Sequence, residues 1–106
     1  MAIVIAVKYC LKPGKRYELL SFVMDNVKNT RMEPGNLAYS HFPSLDDENE
    51  MFVFEMWEEL KNVDAHLNQP HYLEFAQKRL PILESYESQT FDASLVRERK
   101  KAPWTK

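Results

Sequence analysis

Two glycines, Gly14 and Gly35, are too few for a loop that cradles phosphate, and neither sits in a Gly-x-Ser-x-Gly setting. Nucleotide cofactors and serine-nucleophile chemistry are therefore disfavoured. One cysteine, Cys10, excludes an internal disulfide, and no Cys pair is present to hold zinc. No apolar run reaches the length of a membrane span. Met1 leads straight into an apolar stretch too short for a secretion signal. A cytoplasmic protein is the expectation from these absences. A basic face is lacking too. The net charge is −2, yet residues 97–106 hold five Lys/Arg against one Glu. The first 96 residues thus carry the acidic excess, a poor footprint for nucleic acid. They read as one domain, and residues 97–106 as a basic, solvated tail. Trp104 in that tail is expected to dock across a dimer, the alternative being a disordered end.

What is present is ordinary for a globular chain of 106 residues, which builds one modest core. Ala2–Cys10 is β-branched and apolar and reads as a strand buried on both faces. Pro13-Gly14 is a turn. Lys15–Thr30 repeats apolar residues at Tyr17, Leu20, Val23, Met24 and Val27, a helical stripe that Leu19 and Phe22 widen. Glu33-Pro34-Gly35-Asn36 is a tight turn. Leu37–Phe42 is a second strand, residues 43–50 an acidic loop, and Met51–Trp57 a third strand without proline. Asn62–Leu67 is a helical turn. Asn68 reads as the N-cap of a helix that has Pro70 in its first turn and ends at Pro81. Gln89–Val96 alternates as a fourth strand. The order β-α-β-β-α-β is a split-βαβ, ferredoxin-like α+β fold, with a four-stranded antiparallel sheet and helices on one face.

Parity on the third strand then assigns two surfaces. Phe52, Phe54 and Met56 share the face the helices leave bare. Burying each is worth about 1.5–3 kcal/mol, so a homodimer packed sheet to sheet is expected. Met51, Val53, Glu55 and Trp57 face the helices. Glu55 is then a carboxylate in apolar surroundings, suited to acid/base work. Its plain alternative is an ion pair with Arg16 or Arg79. Trp57 offers a flat wall for an aromatic substrate, or simply fills the core. His66 and His71 flank a proline break at a spacing of five, which is not the i, i+4 zinc pair. With no obvious carboxylate to complete a site, a metal is not expected, and hydrogen-bonding or acid/base roles are favoured. Tyr72 sits on its helix's apolar stripe. Tyr39 and His41 share a parity on the second strand, on a face that alternation alone does not identify. Tyr9 and Tyr17 read as core.

The pattern Glu33-Pro34-Gly35-Asn36-Leu37-x-Tyr39, Phe54-Glu55-x-Trp57, Asp64-Ala65-His66-Leu67 and Pro70-His71-Tyr72-x-x-Phe75 resembles the antibiotic biosynthesis monooxygenase (ABM) domain, in order over nearly the whole chain. The resemblance implies a dimeric α+β barrel with a pocket between sheet and helices. It also implies, for some members, oxygenation of quinols or phenols without metal, flavin or haem. A haem-degrading branch shares the fold, but its axial histidine would fall near Ala76 and its asparagine near Val7, so both are absent. The resemblance thus points to a cofactor-independent monooxygenase of a small aromatic substrate. His66 or Glu55 would move the proton, Trp57 and Tyr72 would stack and orient, and His71, Asn36 and Tyr39 would complete the binding wall. The alternatives are an isomerase of a small phosphorylated ketone, of the kind that processes autoinducer-2, and a non-catalytic binding dimer.

Overall fold

A computed structural model describes residues 2–104 of the chain. Four strands, β1 (Ala2–Leu11), β2 (Asn36–Pro43), β3 (Glu50–Trp57) and β4 (Leu83–Ala93), form one antiparallel sheet in the order β2-β3-β1-β4. Helix α1 (Arg16–Thr30) joins β1 to β2. Helices α2 (Leu60–His66) and α3 (Pro70–Arg79) and a 3₁₀ turn at Leu80–Ile82 join β3 to β4. This is the ferredoxin-like arrangement the element order implies, with three helices where the pattern suggested two helices and a helical turn.

The strand parities place the core. Ile5, Val7, Tyr9 and Leu11 of β1 and Met51, Val53, Glu55 and Trp57 of β3 are buried beneath the helices, with Ile5 opposite Glu55 and Val7 opposite Val53. Tyr39 opposite Glu55 and His41 opposite Val53 put β2's odd residues on the same side, which settles the face that alternation left open. Phe42, Phe52 and Phe91 are exposed on the other face, beside half-buried Phe54 and Met56. One apolar sheet face is therefore bare in the single chain.

Four sequence expectations need correction. β1 is buried on one face only, with Lys8 exposed and Ala6 and Cys10 half-buried on the other, because no helix covers that side of the sheet. In α1 the buried residues are Leu19, Val23, Asn26, Val27 and Thr30, while Tyr17 is 84 % exposed and Leu20 and Met24 lie at the surface. The apolar periodicity misled because two polar residues, Asn26 and Thr30, occupy the inward stripe. Strand β4 begins at Leu83, not Gln89, and ends before Val96. As an edge strand it pairs with the length of β1 from Ala2 to Leu11, and its polar first half carries no alternation because both of its faces are largely exposed. The residue before α3 is Gln69, in extended backbone ahead of Pro70, whereas the Asn68 carboxamide donates back to the Asp64 carbonyl at 3.1 Å.

Gly35 decides how the turn after α1 meets α2. Its φ of 81° suits glycine, and a Cβ there would run into the carboxamide of Asn62. The same Asn62 accepts the Glu59 N–H at 3.0 Å at the start of α2, and Gly35 accepts the Glu58 N–H at 2.8 Å. This close approach brings residue 33 under α2 and α3. In the tail, Trp104 is fully exposed, and Thr105 and Lys106 lie outside the described residues.

Candidate functional site

Between the sheet and the helices lie two hydrogen-bonded networks among aromatic rings. The first is centred on Glu33, in the turn after α1. Its Oε2 lies 2.7 Å from His66 Nδ1, at the end of α2, and 2.7 Å from His71 Nε2, in the first turn of α3. A carboxylate only accepts, so both imidazoles donate to it. That fixes the tautomer of His66: Nδ1 carries the hydrogen and Nε2 the lone pair. Nε2 is buried and has no hydrogen-bond partner. Around the His66 ring stand Tyr72 at 4.7 Å, Trp57 at 5.1 Å and Tyr39 at 5.5 Å between centroids. Burial lowers the pKa of His66, against the opposing pull of Glu33.

The second network runs across the sheet. Thr30 Oγ1 donates to Asn26 Oδ1 at 3.2 Å, and Asn26 Nδ2 donates to the Tyr39 hydroxyl at 3.0 Å. That hydroxyl lies 3.0 Å from His41 Nε2, and the Tyr9 hydroxyl lies 2.9 Å from His41 Nδ1. Burial pushes His41 down to about 3, helped by the Arg79 cation, so it is neutral at physiological pH. Burial likewise raises the pKa of Tyr9, Tyr39 and Tyr72.

Glu55 lies between the networks. The Trp57 indole N–H donates to its Oε1 at 3.0 Å. Burial pushes its carboxyl up to about 7, although the indole bond favours the charged form. Neither expected ion pair forms. Arg16 donates to the carbonyls of Ser44, Asp47 and Glu50. Arg79 is buried, with its guanidinium carbon 4.8, 5.0 and 5.2 Å from the ring centres of Tyr9, Phe75 and Tyr86. It is a cation held by aromatic faces rather than by a carboxylate.

The seven residues singled out in the sequence are thus placed as follows. Trp57, His66, His71, Tyr72, Glu55 and Tyr39 gather within one aromatic cluster. Asn36 stands apart at a bulge in β2, its carboxamide donating to the Ala38 carbonyl at 3.1 Å. Sequence reasoning missed Glu33 as a partner of the histidines, because it lies in a turn where no periodicity reports a direction. It also missed Asn26, for which the signal is a position three residues from Val23 on the inward stripe. A cleft of about 130 Å³ between α1 and α3 is bordered by His71 and Phe75, and a cavity of about 410 Å³ between α1 and β2 has His41 on its wall.

Residues 1–78 match the sequence profile of the family described as antibiotic biosynthesis monooxygenase. An uncharacterized protein of Synechocystis is 30 % identical over 81 residues, which are 76 % of this chain and 55 % of that protein, so the chain spans about half the length of that relative. The Bacillus subtilis protein YcnE, provisionally named a monooxygenase, is 32 % identical over 73 residues, 69 % of this chain and 77 % of that protein. A solved structure titled as an antibiotic biosynthesis monooxygenase superposes with a TM-score of 0.80 at 25 % identity, covering 90 % of this chain and all of the other. A Nitrosomonas europaea structure provisionally given the same name superposes at 0.83 with 22 % identity over 87 % and 89 % of the two chains, a likeness of fold.

Proposed function

Because the chain belongs to the antibiotic biosynthesis monooxygenase family, we propose that it oxygenates a small phenol, quinol or anthrone without a cofactor, using His66 as the base. The observation that carries this reading is the state of His66. Its Nδ1–H is tied to a buried carboxylate, its buried Nε2 has no hydrogen-bond partner, and its ring packs among Trp57, Tyr39 and Tyr72. That is the arrangement by which an acceptor orients a general base and stabilises the imidazolium it becomes.

The chemistry follows from the substrate. His66 Nε2 removes a proton, and the resulting anion passes an electron to O2. Recombination forms a hydroperoxide, and loss of water leaves a carbonyl. One oxygen atom enters the product and one enters water, with all four electrons supplied by the substrate. Trp57 and Tyr72 supply faces for stacking, and His71 and Tyr39 supply polar edges. Glu55, with its raised pKa, is the second proton-transfer group. The buried Arg79 cation favours an anionic intermediate nearby. The substrate reaches His66 by displacing Tyr72, which is half-buried at the start of α3. An isomerase of a phosphorylated ketone is less well served. Lys78 is paired with Glu74 at 3.2 Å, and Arg79 is enclosed by rings rather than open at a mouth.

Oxygen uptake with a panel of quinols and anthrones, in the presence of a chelator, tests the reading. His66→Ala is expected to lower the rate by about 10²–10⁴-fold. No uptake across the panel by protein shown to be folded would refute it.

The same proposal includes a homodimer through the bare sheet face, supported by Phe52, Phe54, Met56 and Phe91 on one surface. Sedimentation is expected to report a dimer for the wild type and a folded monomer for Phe54→Lys. A monomeric wild type at micromolar concentration would rule this interface out.

A further inference from the structure

We propose that Glu33, His66 and His71 form a binding site for one divalent transition-metal ion of the zinc class. One ligand atom from each of these residues, on three separate segments, lies within 4.8 Å of the others, and His66 Nδ1 and His71 Nε2 converge on Glu33 Oε2. The sequence alone shows only two histidines at an unhelpful spacing, and the fold supplies the carboxylate. Two imidazoles and one carboxylate suit zinc, cobalt, nickel or iron(II), whereas magnesium and calcium take oxygen donors.

The geometry is close to what such an ion needs. Tetrahedral coordination at about 2.0–2.2 Å sets ligand atoms about 3.3 Å apart. Both imidazole nitrogens are already 2.7 Å from the same carboxylate oxygen. A small outward shift of that oxygen and a closing of the two rings completes the site. The ion takes the place now held by two N–H hydrogens. The desolvation that metal binding requires is largely in place, since the side chains of Glu33 and His66 are 5 % and 2 % exposed. His71, at 17 %, is the side open to solvent and borders the cleft between α1 and α3, so it is the entry. Three protein ligands leave a fourth position for water.

Occupancy changes what His66 does. Each neutral imidazole carries one ring hydrogen. An ion on Nδ1 therefore places that hydrogen on Nε2, turning the open acceptor into a donor. On the reading of His66 as the base, a bound ion switches the site off. This consequence rests on that reading, but the binding itself does not.

The test uses the full chain, stripped with chelator and titrated with Co2+ and then Zn2+. The protein has three histidines, so their ring nitrogens are individually resolvable by NMR. Binding of one ion per chain is expected, with cobalt absorption bands displaced by zinc. The His66 Nδ1 and His71 Nε2 signals should shift as directly ligated nitrogens, while His41 keeps both of its hydrogen bonds. His71→Ala is expected to weaken binding at least about tenfold, since loss of even a supporting contact costs that much. No binding at millimolar zinc, or binding that leaves the His66 and His71 rings unligated, overturns the site. The NMR measurement on the wild type holds even if a variant fails to fold. Inactivity of the metal-free protein toward every phenol would refute the oxygenase reading and leave this binding result standing.

Discussion

Glu55→Gln is expected to stabilise the protein by about 3 kcal/mol near pH 8 and to leave its stability nearly unchanged near pH 4, at about 1.4 kcal/mol per unit of pKa difference. The Glu55 carboxyl is raised from 4.5 to about 7 by burial, so the folded chain holds this proton more tightly than the unfolded chain does. The stability that protonation contributes is complete below about 4.5 and is lost as the pH rises through about 7. Above that, the folded protein keeps a charged carboxylate beneath its helices, with Glu33 as a like-charged neighbour and one indole N–H as its bond. A glutamine keeps the oxygen that accepts from Trp57 and sheds the charge. His41 works in the opposite sense. Its folded value near 3 lies below its usual 6.5, so its contribution is present above 6.5 and is lost as the pH falls toward 3. The two slopes oppose each other between about 4.5 and 6.5, which flattens the wild-type curve there. In Glu55→Gln the His41 slope remains, with the lowered pKa of His66 acting in the same sense, and stability should climb with pH through that window. Urea unfolding at about pH 4, 6 and 8, at one protein concentration because association also shifts apparent stability, reads this directly. A variant less stable than the wild type at pH 8 would contradict the burial penalty.

The second large effect belongs to Glu33→Ala. It removes the shared acceptor of the His66 Nδ1–H and His71 Nε2–H, and His66 is nearly fully buried. An orphaned buried donor costs about 1–3 kcal/mol, so a loss of about 2–5 kcal/mol is expected. Glu33→Gln keeps one acceptor oxygen and should lose roughly half of that. Activity separates a positioning role from a structural one. If the Glu33 charge stabilises the imidazolium that His66 becomes, Glu33→Gln should lower oxygen uptake by about 10²-fold or more at temperatures where it stays folded. The loss should fall on kcat rather than KM, because the substrate does not touch Glu33. A Glu33→Gln protein with wild-type turnover would show that the carboxylate serves packing alone.

Much of this site was legible one residue at a time. Alternation along β3 separated Glu55 and Trp57 from Phe52, Phe54 and Met56, because a strand's period of two has no other solution once one face is buried. Proline at the start of α3 located His71 and Tyr72. The inward face of α1 was misjudged because Asn26 and Thr30, which serve the Tyr39 hydroxyl, are polar residues on a buried stripe. Burying them is sustained by hydrogen bonds that a hydropathy pattern does not report. The start of β4 is hidden in the sequence for a related reason. Its residues are largely exposed on both faces, and only its pairing with β1 sets where it starts.

By itself the sequence determined the element order, the two faces of β3 and the family, since these depend on local periodicity and on residues close together in the chain. The tertiary structure alone decided that Glu33 would meet His66 and His71, 33 and 38 residues away. That meeting depends on a turn at Gly35 packed against Asn62 and on where α2 and α3 settle over the sheet. It is a matter of long-range packing, so the tautomer of His66 and the chemistry open to its free nitrogen are properties of the folded chain.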